Sequence, residues 1–324
     1  MLPDLPRVPL LDGPTPLQPL PRLSKALGGR AELWIKREDL GPLAFSGNKL
    51  RGLEFLLGAA LADGADTIVT SGRRWSNHCR LTAAAGARLG LRVNVVVSGP
   101  PVPRSPNLEL IELLGGTVHQ ADTDAREERE ALVEAVGRAA TDEGRHVRVI
   151  PVGGSEPAGM WGQVLAALEV AGQARAASLD VDAIVLATAT GGTQAGLVVG
   201  SALAFDPPPR VIGVVASQSE AELRDAIAPR VAELATMAGI DAPRDAIELD
   251  SGQLGAGYGV PTPASEAAAA LIARTEGILV DPIYTAKGLA GLIDLVRARA
   301  LDDRRAIFWH GGGLPSLFEP RPGG

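Results

Sequence analysis

Cysteine, lysine and aromatic residues are all scarce in this 324-residue sequence. The lone cysteine, Cys79, excludes an internal disulfide and any multi-cysteine metal centre, and no metal ligand set is expected. Lysine occurs only at positions 25, 36, 49 and 287, although basic residues total 31, so few side chains can supply a reactive amine. No run approaches the roughly 20 apolar residues of a membrane span. The start, Met1-Leu2-Pro3-Asp4-Leu5-Pro6, lacks the basic residues and apolar core of a signal peptide, so a cytoplasmic protein without a membrane partner is expected. There is no basic block either. With 38 acidic residues and a net charge of −7, the chain is a poor match for nucleic acid, and a small solute is the expected partner.

What is present is a globular composition, 46% hydrophobic and 21% charged, on a chain long enough for two domains sharing a cleft. After a proline-rich start that must run extended, Glu32 to Lys36 reads as a strand. Leu50, Leu53, Leu57 and Leu61 recur at helical spacing, placing a helix from about Lys49 to the Gly64 turn. Strands at Thr67–Val69 and Val93–Val97 then alternate with helices at Leu81–Leu89 and Leu108–Leu114 and a long polar helix over Arg126–Thr141. Beyond Gly153-Gly154 a second series runs helix Val164–Ala176, strand Ala183–Ala187, helix Ala195–Ala204, strand Val211–Val215 and further pairs to the strand Ile307–Trp309. Two open α/β units with parallel sheets are the economical reading.

Four constellations carry chemistry. Lys49 follows Ser46-Gly47-Asn48 at a helix N-terminus; the glycine admits a ligand to the backbone and the asparagine can donate beside an imine, although a solvated lysine opening a helix has the same pattern. Thr188-Ala189-Thr190-Gly191-Gly192-Thr193 lies between a strand and a helix, where exposed amides, hydroxyls and the helix dipole can hold one phosphate; an ordinary tight turn is the alternative. It lacks a Walker lysine and follows the wrong strand for a dinucleotide fingerprint, which disfavours a nicotinamide oxidoreductase. Ser76-Asn77-His78-Cys79 stands at another strand-to-helix turn, able to bind a carboxylate, with Ser76 alternatively only a helix cap. Both tyrosines, Tyr258 and Tyr284, fall in glycine- or proline-bounded turns, as acids, bases or positioning groups, or as packing residues.

Taken in order, Ile35-Lys36-Arg37-Glu38-Asp39-Leu40, Ser46 to Arg51, Ser76 to Arg80, Pro151 to Ser155, Gly191 to Gly196, Gly257-Tyr258-Gly259, Asp281 to Thr285 and Gly311 to Pro315 resemble one family over almost the whole chain. It is the D-cysteine desulfhydrase and 1-aminocyclopropane-1-carboxylate deaminase group of pyridoxal-phosphate enzymes. The resemblance implies the tryptophan-synthase-β-like fold type II: two three-layer α/β/α domains with mostly parallel sheets. Residues 1–47 plus 155–324 would form the large cofactor-binding domain and 48–154 the small one, with the active site between them and a homodimer as the assembly. It implies that Lys49 carries pyridoxal 5'-phosphate as a Schiff base, that Asn48 contacts the cofactor's phenolic oxygen, and that Thr190, Gly191, Gly192 and Thr193 hold its phosphate. Ser76, Asn77 and His78 would line the carboxylate site, with Tyr258 and Tyr284 near the reacting atoms.

Thr285 after the second tyrosine, and the Ser-Asn-His order, resemble the desulfhydrase branch. Trp75, Ala189 and Gly311 depart from the family pattern of glutamine, glycine and threonine at these positions. Trp75 is expected to fill part of the substrate pocket, and Gly311 leaves Thr285 or a water as partner of the pyridine nitrogen. The expected reaction is α,β-elimination on a small D-amino acid such as D-cysteine: Lys49 removes the Cα proton, a tyrosine assists the leaving group, and pyruvate, ammonia and sulfide result. The rivals are cyclopropane ring opening, a biosynthetic reaction on an unusual amino acid, and a cofactor-binding protein without turnover.

Overall fold

A computed structural model describes residues 3–320. In chain order its elements are β1 (Leu17–Pro19), α1 (Pro21–Ala26), β2 (Glu32–Arg37), α2 (Lys49–Ala62), β3 (Thr67–Arg73), α3 (Asn77–Leu89), β4 (Arg92–Ser98), α4 (Pro106–Leu113), β5 (Thr117–Ala121) and α5 (Arg126–Asp142). There follow β6 (Val147–Ile150), α6 (Pro157–Ala176), β7 (Ala183–Thr188), α7 (Gly192–Ala204), β8 (Arg210–Val215), α8 (Glu220–Ala238), β9 (Ile247–Asp250), α9 (Pro263–Glu276), α10 (Thr285–Arg297) and β10 (Arg305–His310).

Among the described residues these strands form two sheets, one of six strands in the order β1-β2-β10-β7-β8-β9 and one of four in the order β5-β4-β3-β6. All pairings are parallel except β1 with β2, where the proline-rich start lies antiparallel along the sheet edge. Proline lacks an amide for the ladder, so an edge strand is where it is tolerated.

Alternation along the strands builds the layers, because successive side chains leave opposite faces. In β7 and β10, Ile184, Leu186, Ile307 and Trp309 face a core closed by α6, α7 and α8, while Ala183, Val185, Ala306 and Phe308 face one closed by α1, α9 and α10. In the smaller sheet Ile68, Val93, Val95 and Val97 pack under α2, α3 and α4, and Val69 and Val96 pack under α5. This is the expected pair of three-layer α/β/α units with mostly parallel sheets.

Several helices begin before the expected residue. α3 starts at Asn77 instead of near Leu81, α6 at Pro157 instead of Val164, and α7 at Gly192 instead of Ala195. Their first turns carry small or polar residues without apolar periodicity, and those turns face the space between the sheets.

Candidate active site

The C-terminal ends of β3, β7 and β10 and the first turns of α2, α3 and α7 enclose a cavity of about 520 Å³. α2 is brought there by close packing on α6. A Cβ on Gly162 would stand 2.1 Å from the carbonyl oxygen of Arg51, so only glycine permits this approach. Lys49 opens α2, and its amine donates to the carbonyl of Gly153 at 2.8 Å. Burial, followed by the charge of Arg230, lowers its pKa from 10.5 to about 8, because neither leaves room for a second positive charge.

The loop after β7 turns into α7 through Gly191, whose φ of 81° is open to glycine at little cost. The amides of the first helical turn, from Gly192 and Thr193 onward, have no intrahelical acceptor. Ser155 donates to the Thr190 hydroxyl at 2.8 Å, Ser217 to the Ala189 carbonyl at 3.0 Å, and Arg230 of α8 to the Thr190 carbonyl. Asn48 Nδ2 donates to the Thr193 hydroxyl at 2.8 Å, which joins the lysine's helix to this loop. The buried Thr188 hydroxyl, in the cavity wall, has no hydrogen-bond partner among the described residues. A loop of free amides, an orphaned hydroxyl, and an amine of lowered pKa fit a phosphorylated aldehyde cofactor.

At the start of α3, Ser76 caps the helix by accepting from the Cys79 amide at 3.3 Å, and its own hydroxyl proton stays available to the cavity. The two sequence readings of Ser76 are therefore compatible. His78 is held differently. Thr70 gives its hydroxyl proton to the Ile150 carbonyl at 2.9 Å, so it accepts from His78 Nε2–H at 2.9 Å, and the ring ties α3 to β3. Burial drives the His78 pKa down to about 3, so the ring is neutral and what it offers a carboxylate is its backbone amide. Burial also raises Cys79 to about 11, as befits a packing thiol.

Tyr258 and Tyr284 share a hydrogen bond through their hydroxyls. Burial raises both pKa values, Tyr284 well above 10, so both remain protonated. Trp75 differs from expectation. It does not line the cavity but stands behind Tyr258, edge to face with centroids 5.5 Å apart, in space that Gly259 leaves by having no side chain. Thr285 does reach the cavity, but its hydroxyl gives its proton to Asp281 Oδ1 at 2.6 Å and accepts from the Asp281 amide at 2.7 Å. It turns a lone pair, and no proton, toward a ligand.

The cavity thus gathers Asn48, Lys49, Ser76, Asn77, His78, Thr190, Gly191, Thr193, Tyr258, Tyr284 and Thr285, with Gly192 lining a small recess beneath it. Sequence reasoning named Thr188 only as the first residue of the phosphate-loop segment and did not single out Ser155 or Arg230. Ser155 stood inside a matched segment, but Arg230 comes from a helix 40 residues beyond Thr190 and carries no local signal.

Comparison with known proteins agrees with this geometry. The model of the pyridoxal-phosphate dependent enzyme family matches residues 8–312, and the chain belongs to that family. It is 39% identical to a D-cysteine desulfhydrase of Salmonella paratyphi B and 40% identical to one of Salmonella choleraesuis, in each case over 98% of this chain and 97% of the relative. Among solved structures, an ACC deaminase homologue superposes with a TM-score of 0.89 at 34% identity, over 97% of this chain and 94% of the other. A threonine deaminase isoform of Solanum lycopersicum, at 19% identity and a TM-score of 0.65, covers 92% of this chain and 79% of its own, and shares the fold.

Proposed function

We propose that this enzyme eliminates the β-substituent of a small D-amino acid, with D-cysteine as the model substrate and pyruvate, ammonia and sulfide as products. The observation that carries the reading is one cavity holding both an amine of lowered pKa and a pair of buried, protonated tyrosines. The names of the Salmonella relatives support the substrate.

When bound, pyridoxal phosphate supplies an electron sink for the pair left at Cα. The amides of Gly191, Gly192 and Thr193, the hydroxyls of Thr190 and Thr193, and the Arg230 guanidinium hold the phosphate. Asn48 stands beside the lysine, where it reaches the cofactor's phenolic oxygen. The first-turn amides of Asn77 and His78 and the Ser76 hydroxyl bind the substrate carboxylate at the positive end of α3. Lys49 takes the Cα proton. The Cβ–S bond breaks with its electron pair on sulfur, and the tyrosine pair, which its raised pKa values keep protonated, donates a hydrogen bond to the departing sulfur. Trp75 acts by fixing the ring of Tyr258. With its proton committed to Asp281, Thr285 would have only a lone pair to turn toward the pyridine nitrogen of the bound cofactor and would donate nothing there.

We also infer a cytoplasmic homodimer, on the family resemblance alone; among the described residues no helix is long and apolar enough to cross a membrane. Incubation with D-cysteine should yield pyruvate and sulfide in equal amounts. Inactivity on D-cysteine, with 2-oxobutyrate formed from 1-aminocyclopropane-1-carboxylate, would instead assign ring opening.

A further inference from the structure

Lys287 is one of the four lysines of the chain and takes no part in the chemistry above. It stands in the first turn of α10, three residues after Tyr284, and is wholly buried. Its amine donates to the carbonyls of Leu254 at 2.8 Å and Gly257 at 3.1 Å, and among the described residues it makes no ion pair. Burial lowers its pKa. This is a costly place for an ammonium group: it is out of water, its acceptors are neutral, and it lies at the positive end of a helix dipole. An apolar side chain would pack there without those costs.

The segment that this amine holds is the one that carries Tyr258. Residues 254–260 form two successive turns, closed by long bonds from the Gly257 amide to the Leu254 carbonyl at 3.2 Å and from the Val260 amide to the Gly257 carbonyl at 3.3 Å. Gly255, Gly257 and Gly259 have φ values of 61°, 127° and 82°, so the segment has little conformational order of its own. Gln253 anchors its start by donating to Asp294 Oδ2 of α10 at 2.7 Å. Lys287 anchors its middle, giving a further bond to the closing carbonyl of each turn, and so fixes the segment to the helix whose N-cap is Tyr284. We propose that Lys287 is a positioning residue for the elimination: its ammonium group holds Tyr258 against Tyr284, so that the hydroxyl pair is presented to the departing group as one unit. Lys287 does not line the cavity and acts only through Tyr258. This role rests on the reading of the tyrosine pair as the group that assists departure.

The test is a double-variant cycle on the holoenzyme with D-cysteine. Lys287→Met keeps the bulk and removes the ammonium group; it should leave the visible band of the bound cofactor in place, keep KM within about twofold of the wild type and lower kcat about tenfold. Tyr258→Phe should lower kcat as well, and the double variant Lys287→Met/Tyr258→Phe should be no slower than Tyr258→Phe alone, because a residue that acts through Tyr258 then has nothing left to position. Lys287→Gln, which loses the charge and keeps donors, should lose less kcat than Lys287→Met, and it stands in for that variant should Lys287→Met fail to fold. An unchanged kcat in Lys287→Met, losses that multiply in the double variant, or failure of both lysine variants to fold with cofactor overturns the proposal, the last two by making Lys287 a residue of the fold alone. A slow Tyr258→Phe in those cases leaves the tyrosine reading standing; wild-type turnover in Tyr258→Phe removes both.

Discussion

Burial and the neighbouring Arg230 hold the Lys49 amine at a pKa of about 8, against 10.5 for an ordinary lysine. The sign follows directly: lowering the pKa populates the neutral amine at lower pH, and only the neutral amine condenses with an aldehyde. The rate at which cofactor-free protein takes up pyridoxal phosphate should therefore rise with pH and reach half its maximum near pH 8, read from the growth of visible absorbance. A midpoint near 10.5 would show the amine unperturbed. Lysine 49 was conspicuous in the sequence because the chain has so few lysines and this one follows Ser-Gly-Asn. Trp75 was misplaced because the sequence gives its neighbour in the chain, Ser76, but not the side from which Tyr258 arrives, 183 residues later. The Thr285 proton was equally hidden: its destination, Asp281, is close in sequence, but which of two acceptors it chooses is a matter of geometry.

The loop from Thr190 into α7 illustrates how an element sets chemistry through backbone shape. Gly191 has a left-handed φ of 81°, and a Cβ there would stand 2.4 Å from Ile227 Cγ1 of α8. Gly191→Ala must strain or shift the turn, at a cost of about 1–2 kcal/mol from the dihedral alone. The amides move with it, so cofactor affinity should fall by about tenfold, measured by titrating the cofactor-free variant with pyridoxal phosphate. An unchanged affinity would place the phosphate elsewhere. At this scale the sequence was readable wherever apolar periodicity ran, as in α2 with its leucines, or where β-branched residues clustered, as in β4. Apolar periodicity was silent at the first turns of α3, α6 and α7, although the cap reading of Ser76 marks where α3 begins. Those turns read Asn-His-Cys-Arg, Pro-Ala-Gly-Met and Gly-Thr-Gln-Ala and are shaped by tertiary contacts, so their helical start carries no apolar period.

Across the whole molecule, a buried ion cluster fixes where α2 stands. Arg51, two residues after Lys49, binds Glu38 at the end of β2 at 2.6 Å and Glu169 of α6 at 2.9 Å, and Lys36 of β2 joins Glu169 and the Thr15 carbonyl. Two cations and two carboxylates balance, and each is hydrogen-bonded, which a buried cluster requires. The alternation of strands and helices made the paired α/β layers readable from sequence. This cluster was not, since Lys36 looked like any strand lysine and its partner lies 133 residues away. It locks the helix that presents Lys49 to the six-stranded sheet, and thereby sets the amine against the phosphate loop. The central claim is that this amine carries the cofactor and that turnover depends on it. The most direct measurement is the visible absorbance spectrum of the purified enzyme and of Lys49→Ala, each reconstituted with pyridoxal phosphate and given D-cysteine, with pyruvate assayed in the same tube. The account predicts a visible band that changes with D-cysteine and yields pyruvate in the wild type, and loss of both the lysine-bound band and pyruvate formation in the variant. A Lys49→Ala protein with the wild-type band and wild-type pyruvate formation would contradict it.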